Sequence, residues 1–426
     1  MLKKEELLKD KDNNNCLIVL PLLKLKDDPE KVEYRLDEAT GLATTLDLNV
    51  VDKIVIWTKD YRPGHLLKSG KIEELKAIVA SKNIALVYID MPVTPVQQRN
   101  LEKALNAKVM DRTGIILEIF ASRARTSEGK LQVRLAHLEY QKSRLVRMWT
   151  HLERQRGGLG NVGGPGETQM ESDKRMIRDE IAKIKKQLEK VKQTRELHRK
   201  SRTSVPYPIV ALVGYTNAGK STLFNKLTNA DVLAEDKLFA TLDPTMRVIK
   251  LPSRKTIILS DTVGFISNLP TELIAAFRAT LEEVIESTII LHVQDASNPE
   301  YRDHSKEVQK ILKSLGITSK FYKDTIHVYN KIDLVKSKTE FKSKLCISAT
   351  ENINLDKLLS AIDEKLMEDD IKIRVNVKVE DSAKIAWLYA NSAVISSEYD
   401  DEFGHFYISI SKTNYDKWRS LYEYSE

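Results

Sequence analysis

"IVALVGYTNAGKSTLFNKLTN", Ile209 to Asn229, runs from an apolar stretch, through a turn bounded by glycines, into a stretch of helical character. Gly214 to Ser221 fit G-x-x-x-x-G-K-[ST], and they do so after a strand and before a helix, the context that gives the pattern its physical meaning. The glycines let backbone N–H groups wrap a phosphate chain, and the positive end of the helix adds to the attraction. Lys220 would neutralise the β- and γ-phosphates, and Ser221 would ligate Mg²⁺. Gly214, Tyr215, Thr216, Asn217, Ala218, Gly219, Lys220, Ser221 and Thr222 are the candidate phosphate-binding segment.

Three further stretches follow in the order a nucleotide site on a doubly wound sheet requires. "TIILSDTVG" ends an apolar strand on Asp261, whose carboxylate can hold Mg²⁺ through water, and continues through Thr262 and Val263 to Gly264, whose bare N–H would meet a γ-phosphate. "HVYNKID" ends another strand with Asn330, Lys331 and Asp333. The Asp333 carboxylate can accept from the N1–H and the exocyclic amine of guanine; adenine has neither donor there, so the site selects guanine. "CISA" supplies Ser348 and Ala349, where a backbone N–H can meet guanine O6. Between the phosphate loop and Asp261 lies "LFATLDPT", a switch segment in which Thr241 is the candidate for reaching Mg²⁺ and the γ-phosphate, with Thr245 its competitor. Lys220, Thr241 and Gly264 are the candidate catalytic residues, and Ser221, Thr241 and Asp261 the candidate metal ligands.

Phe265 follows Gly264, at the place where many such enzymes keep a water-orienting Gln. A phenyl ring cannot hydrogen-bond water, so slow intrinsic turnover is expected, with a partner completing the site. Asn217 has two readings: a residue that shapes the loop, or one that helps to hold a K⁺ ion, as in related GTPases that lack the Gln.

On the N-terminal side, "CLIVLPL", "KIVIW" and "ALVYID" are strand-like, and Glu30–Leu48, Lys71–Ser81 and Pro95–Ala107 are helix-like, an alternation that predicts a small α/β domain with a mainly parallel sheet. From Ser127 the period changes. Leu131, Leu135, Leu138, Leu145, Trp149 and Leu152 form one heptad seam, and Ile177, Ile181, Ile184, Leu188 and Val191 a second. "GGLGNVGGPGE", Gly157 to Glu167, cannot continue a helix. Two long antiparallel helices with a glycine-rich tip are expected, with Thr168 and Glu171 as a capping box for the second. "TSVPYP", Thr203 to Pro208, marks the next boundary. After the nucleotide module, Ile371 to Glu426 reads as strand, helix, two strands and helix. The predicted architecture is α/β: an N-terminal α/β domain over 1–122, a basic helical hairpin over 123–204, a P-loop GTPase domain with a doubly wound, mainly parallel sheet over 205–368, and a small α+β C-terminal domain over 369–426.

A chain of 426 residues is long enough for several such domains, and its composition, 42% hydrophobic and 30% charged, is that of a globular protein. No apolar run approaches the ~18 residues of a membrane span. Cys16 to Leu23 read as a first strand and not as a signal peptide, because acids precede the run and no small-residue cleavage site follows. The two cysteines, Cys16 and Cys346, fall in different expected domains; no disulfide framework follows from them, and a cytoplasmic setting is expected. Between Arg123 and Arg202 stand 21 Lys/Arg against 10 Asp/Glu, a local +11 in a chain of net charge +7. That concentration favours a polyanion such as RNA; the plain alternative is a solvated helix face.

"RNLEKAL", "DRTGIILEIFASRARTSEGKLQVRLAHLEY", "LERQRGGLG", "GPGETQ" and "DTVGFISNLP" together resemble the HflX family of translational GTP-binding proteins, within the Obg-like group, over roughly residues 16 to 367. The resemblance implies a ribosome-associated GTPase that binds GTP and GDP, contacts the large ribosomal subunit and its rRNA, splits or rescues stalled ribosomes, and places the hairpin tip near the peptidyl-transferase centre; a monomer is expected. It also implies a weaker ATPase activity. The family's Arg before "GPGE" is missing here, where the chain reads "NVGGPGE", and "KSGK", Lys68 to Lys71, stands at the family's "GSGK"-like element. The other readings are an RNA-binding or helicase-like NTPase acting in ribosome assembly, and an RNA-modifying GTPase of the tRNA-uridine type, whose cysteine-containing C-terminus "SLYEYSE" lacks.

Overall fold

The computed structural model describes residues 14–155, 165–202, 207–228, 238–239, 241, 244–267, 281–317, 323–336, 339–368, 370–410 and 412–423. They divide into two compact units: one holds the chain up to Ser201 together with Leu238, Phe239 and Thr241, the other the remainder.

In the first unit, strands β1 (Asn15–Leu23), β2 (Asn49–Thr58), β3 (Leu86–Ile89) and β4 (Lys108–Asp111) form a parallel sheet in the order β2-β1-β3-β4. Helices α1 (Val32–Thr45), α2 (Ser69–Ser81) and α3 (Pro95–Leu105) make the three crossovers, and α4 (Arg112–Arg123) follows the last strand. A parallel strand covered on both faces reads as a continuous apolar run, as β1 does, with Cys16 to Leu22 all buried. Burial pushes the Cys16 thiol up to about 12, so it is a core residue and not a reactive one. Helix α3 starts on a capping box formed by Thr94 and Gln97, with Pro95 in its first turn.

Helices α5 (Ser127–Gln155) and α6 (Pro165–Arg202) are the two arms expected from the heptads. Leu135, Leu138, Ile181 and Ile184 are buried together, with Leu131, Ile177 and Leu188 packed against them. Cross-arm ion pairs Arg134–Glu180 and Lys185–Glu139 flank this seam. The capping expectation at Thr168 and Glu171 is wrong: α6 already begins at Pro165, whose fixed φ and missing N–H suit a first helical position, so both residues lie inside the helix. Most of the glycine-rich tip and Thr203 to Pro206 lie outside the described residues.

The root of the hairpin is fixed by polar contacts. Asp111, at the end of β4, accepts from Gly114 N (2.8 Å), Val93 N (3.1 Å), Tyr140 Oη (2.8 Å) and Arg144 Nη1 (3.3 Å). Beside it Arg112 pairs with the buried carboxylates of Asp90 and Glu38. Removing one partner of such a buried pair strands a charge and costs about 3–5 kcal/mol.

In the second unit, β5 (Ile209–Gly214), β6 (Thr245–Lys250), β7 (Thr256–Asp261), β8 (Ile289–Asp295), β9 (Thr325–Asn330) and β10 (Leu345–Cys346) form a sheet in the order β10-β9-β8-β5-β7-β6. Every pairing is parallel except β6 with β7. From β5 the chain goes out to β6 and back through β7 on one side, then crosses to β8 on the other. Ligand crevices form at such a switch point, outside the carboxyl ends of the strands. Beyond this sheet, β11 (Ile371–Lys378), β12 (Ala393–Tyr399) and β13 (Phe403–Ile410) form an antiparallel sheet, β11-β13-β12, covering a core of Val377, Leu388, Phe406, Ile408, Ile410 and Trp418. Among the described residues no helix is long and apolar enough to cross a membrane.

Candidate nucleotide site

Because β5, β7, β8 and β9 run parallel, their carboxyl ends share one edge, and the sequence motifs sit on those ends: Gly214 on β5, Asp261 on β7, Asp295 on β8 and Asn330 on β9. From Gly214, packed against the Val293 carbonyl, the chain turns through Tyr215 to Gly219 and enters helix α7 (Lys220–Thr228). Asn217 takes a left-handed φ of 58°, which Asn tolerates better than most residues, and its side chain is exposed. Gly219 has φ 88°, and a Cβ there would lie 2.2 Å from Asn330 Nδ2, so only glycine fits.

Asn330 holds two loops together. Its Nδ2 donates to Ala218 O (2.9 Å), and its Oδ1 accepts from Ala349 N (3.0 Å). The Ala349 amide expected to meet guanine O6 is thus engaged by Asn330 in this structure. Ser348 is buried, with its Oγ accepting from Glu351 N (3.1 Å), while Lys331, at φ 62°, extends its Nζ to Asp295 Oδ2 (2.8 Å). Asp333 is exposed on the turn Ile332–Leu334, open to a base.

Lys220 is buried, and its Nζ donates to the Tyr215 carbonyl (2.8 Å). Burial lowers its pKa to about 8 against the opposing pull of Asp261. Ser221 Oγ donates to Asp261 Oδ2 (2.7 Å), and Asp261 is fully buried. A hydroxyl and a carboxylate side by side are hard oxygen donors of the kind Mg²⁺ takes alongside phosphate oxygens, so these residues fit the ion. Thr222 stands half-buried one residue further along α7. Thr262 Oγ1 donates to Leu212 O (2.6 Å), fixing the strand end, and Val263 is buried. Gly264 lies so close that a Cβ would stand 3.0 Å from Lys220 Nζ, Thr216 Cα and Thr216 Cγ2 alike.

Phe265 is buried, not displayed at an open water site. Its backbone forms an isolated parallel bridge with Tyr215: Phe265 N donates to Gly214 O (3.1 Å), and Thr216 N donates to Phe265 O (2.7 Å). Ser267 N donates to Tyr215 Oη (2.8 Å), and the Tyr215 ring stacks on His304 from the helix Tyr301–Ser314, with centroids 3.8 Å apart and planes 5° from parallel. Sequence reading missed Asp295, Ser267 and His304. Asp295 closes an apolar strand and was there to be found; nothing local marks the other two. Thr241 is buried and belongs to the first unit, where its neighbour Phe239 meets Phe120 edge-on and Leu238 lies over Gly41. Thr245 opens β6.

Three family models match in succession: a GTP-binding GTPase N-terminal region over residues 33–121, a GTP-binding GTPase middle region over 123–202, and a 50S ribosome-binding GTPase over 209–331. A GTPase HflX from Magnetococcus marinus is 46% identical over 400 residues, 92% of each chain. The chain belongs to the HflX family of GTPases. The HflX protein of Caldanaerobacter subterraneus is 42% identical, covering 93% of this chain and 91% of its own, and that of Escherichia coli K12 is 39% identical, covering 91% of each. Among solved structures, a GTP-binding protein from Sulfolobus solfataricus in complex with GDP aligns at 23% identity over 83% of this chain and 99% of its own, with a TM-score of 0.44. As an HflX-family GTPase the chain hydrolyses GTP to GDP and phosphate.

Proposed function

We propose that this GTPase is a cytoplasmic factor that binds the large ribosomal subunit through its rRNA and uses GTP to split or rescue stalled ribosomes. The observation that carries the reading is the hairpin. Two arms of 29 and 38 residues hold most of the +11 segment; among the described residues a buried apolar seam runs between them, while Lys130, Arg175, Arg178, Lys183, Lys186 and Lys190, with Arg125 just before the first arm, are exposed. A rigid basic rod is suited to reaching into an RNA-walled cleft, where neutralised phosphates release counterions. The match of residues 209–331 to a 50S ribosome-binding GTPase model supports the same partner.

In the nucleotide site Lys220 would meet the β- and γ-phosphates, and Asp333 the N1–H and amine of guanine, with Asn330 holding the loops around the base. Ser221 and Asp261, joined by Thr241 in the triphosphate state, would hold Mg²⁺, which neutralises charge on the phosphate oxygens when bound. The Gly264 N–H would meet the γ-phosphate. Because the backbone at Phe265 is already tied to the phosphate loop, the order that the ribosome contributes is assigned to the Thr241 segment.

Sedimentation through sucrose gradients tests the assignment. Migration with large subunits in GTP or a non-hydrolysable analogue, and its loss in GDP, is expected; RNA binding indifferent to nucleotide would favour an assembly-linked, RNA-binding NTPase instead. Faster hydrolysis in KCl than in NaCl at equal ionic strength would assign K⁺ to Asn217, and equal rates would leave Asn217 as a loop former.

A further inference from the structure

The site has hydroxyl groups to spare, and most of them are engaged. Ser221 Oγ donates to Asp261, Thr262 Oγ1 donates to Leu212 O, and Tyr215 Oη accepts from Ser267 N. Thr216 differs. It is 5% exposed, and its Oγ1 is buried with no hydrogen-bond partner among the described residues. A buried hydroxyl in that state destabilises the fold, because it has given up water and gained nothing. Groups of this kind in native structures are accounted for by a bound water or ion, by strain or by a catalytic role.

Its position says what that requirement is. Thr216 Cα and Cγ2 both stand 3.0 Å from the point where a Gly264 side chain would begin, and Lys220 Nζ is equally close to that point. The hydroxyl is carried on the same Cβ as Cγ2, one bond from the atom that stands beside the phosphate-loop Lys and the glycine assigned to the γ-phosphate. Its backbone is held there by the 2.7 Å bond from Thr216 N to Phe265 O. The residue that denies the site a polar side chain at position 265 thereby fixes the residue that has one.

We propose that the Thr216 hydroxyl orients the attacking water, the task for which Phe265 has no polar atom. In the step, the water oxygen forms a bond to the γ-phosphorus as the bond from that phosphorus to the β–γ bridging oxygen breaks. The electron pair leaves on GDP, and the water's proton ends on the released phosphate. Thr216 accepts a hydrogen bond from the water and undergoes no net change. Positioning of this kind is what a site with little covalent chemistry of its own has to supply.

Thr216→Val keeps the shape and removes the hydroxyl; Thr216→Ser keeps the hydroxyl and removes the methyl. Full-length proteins carrying each are compared in single-turnover GTP hydrolysis, in equilibrium binding of GDP and of a non-hydrolysable GTP analogue, and in thermal unfolding without nucleotide. In the Val variant kcat falls about tenfold or more, both affinities are unchanged, and Tm holds or rises, since an unpartnered buried hydroxyl has been replaced by a methyl. The Ser variant retains the parent rate. The proposal is overturned by a Val variant with the parent rate, by one whose affinity or Tm falls together with its rate, or by a Ser variant as slow as Val. A purely structural threonine lowers Tm; this one does not.

Discussion

Lys220 is an amine whose charge burial resists, with its pKa lowered to about 8 from the 10.5 of the free side chain. Triphosphate oxygens favour the charged form, so above pH 8 nucleotide binding has to take up the proton that the free protein has released. GTP affinity is therefore flat below pH 8 and falls as pH rises through it, approaching about tenfold per unit. Fluorescent-nucleotide titrations between pH 7 and 9 measure this, and Lys220→Arg, whose guanidinium stays charged, flattens the profile. A parent profile already flat to pH 9 contradicts the reading. This residue and its companions were legible because phosphate chemistry restricts spacing: the glycines, the lysine and Asp261 must stand where they do whatever the rest of the chain is. The engagement of the Ala349 amide by Asn330 was not legible. It depends on how two loops meet, and no local pattern encodes that.

At the scale of elements, the corner after β7 is a short extension of the central sheet. The Tyr215–Phe265 bridge, the Ser267–Tyr215 hydrogen bond and the His304 stack hold residues 261–267 against the phosphate loop. Tyr215 thus acts away from the nucleotide, by fixing where Gly264 stands. Tyr215→Phe keeps the stack and leaves the Ser267 N–H without its acceptor, a loss of about 1–2 kcal/mol. The expected outcome is a preference for GTP over GDP reduced roughly five- to thirtyfold, since on the role proposed for Gly264 only the triphosphate reaches it. Equal weakening of both nucleotides would instead show general damage to the loop. The same scale explains what reading the sequence gained and lost elsewhere. The hairpin arms were legible because leucines and isoleucines repeat at heptad spacing over many turns. Strand β4 was not, because its four residues, Lys108 to Asp111, hold only two apolar ones between charges, and the start of α6 was misplaced because a Pro at the first position competes as a start signal with a Thr three residues later.

For the whole molecule, charge and catalysis point at one partner. The basic excess lies in the segment from Arg123 to Arg202, most of it on the hairpin, while the candidate nucleotide site carries the residues of the phosphate-binding motif but no polar side chain at position 265. On the proposed function, a switch built this way hydrolyses GTP slowly until the large ribosomal subunit orders the Thr241 segment. The most direct test is the steady-state GTPase rate of the purified protein with and without purified large ribosomal subunits, at low and at physiological salt. The account predicts slow turnover alone and a rise of about tenfold or more with large subunits, weakening as salt screens the hairpin. Fast turnover by the protein alone, with no response to large subunits, would contradict it.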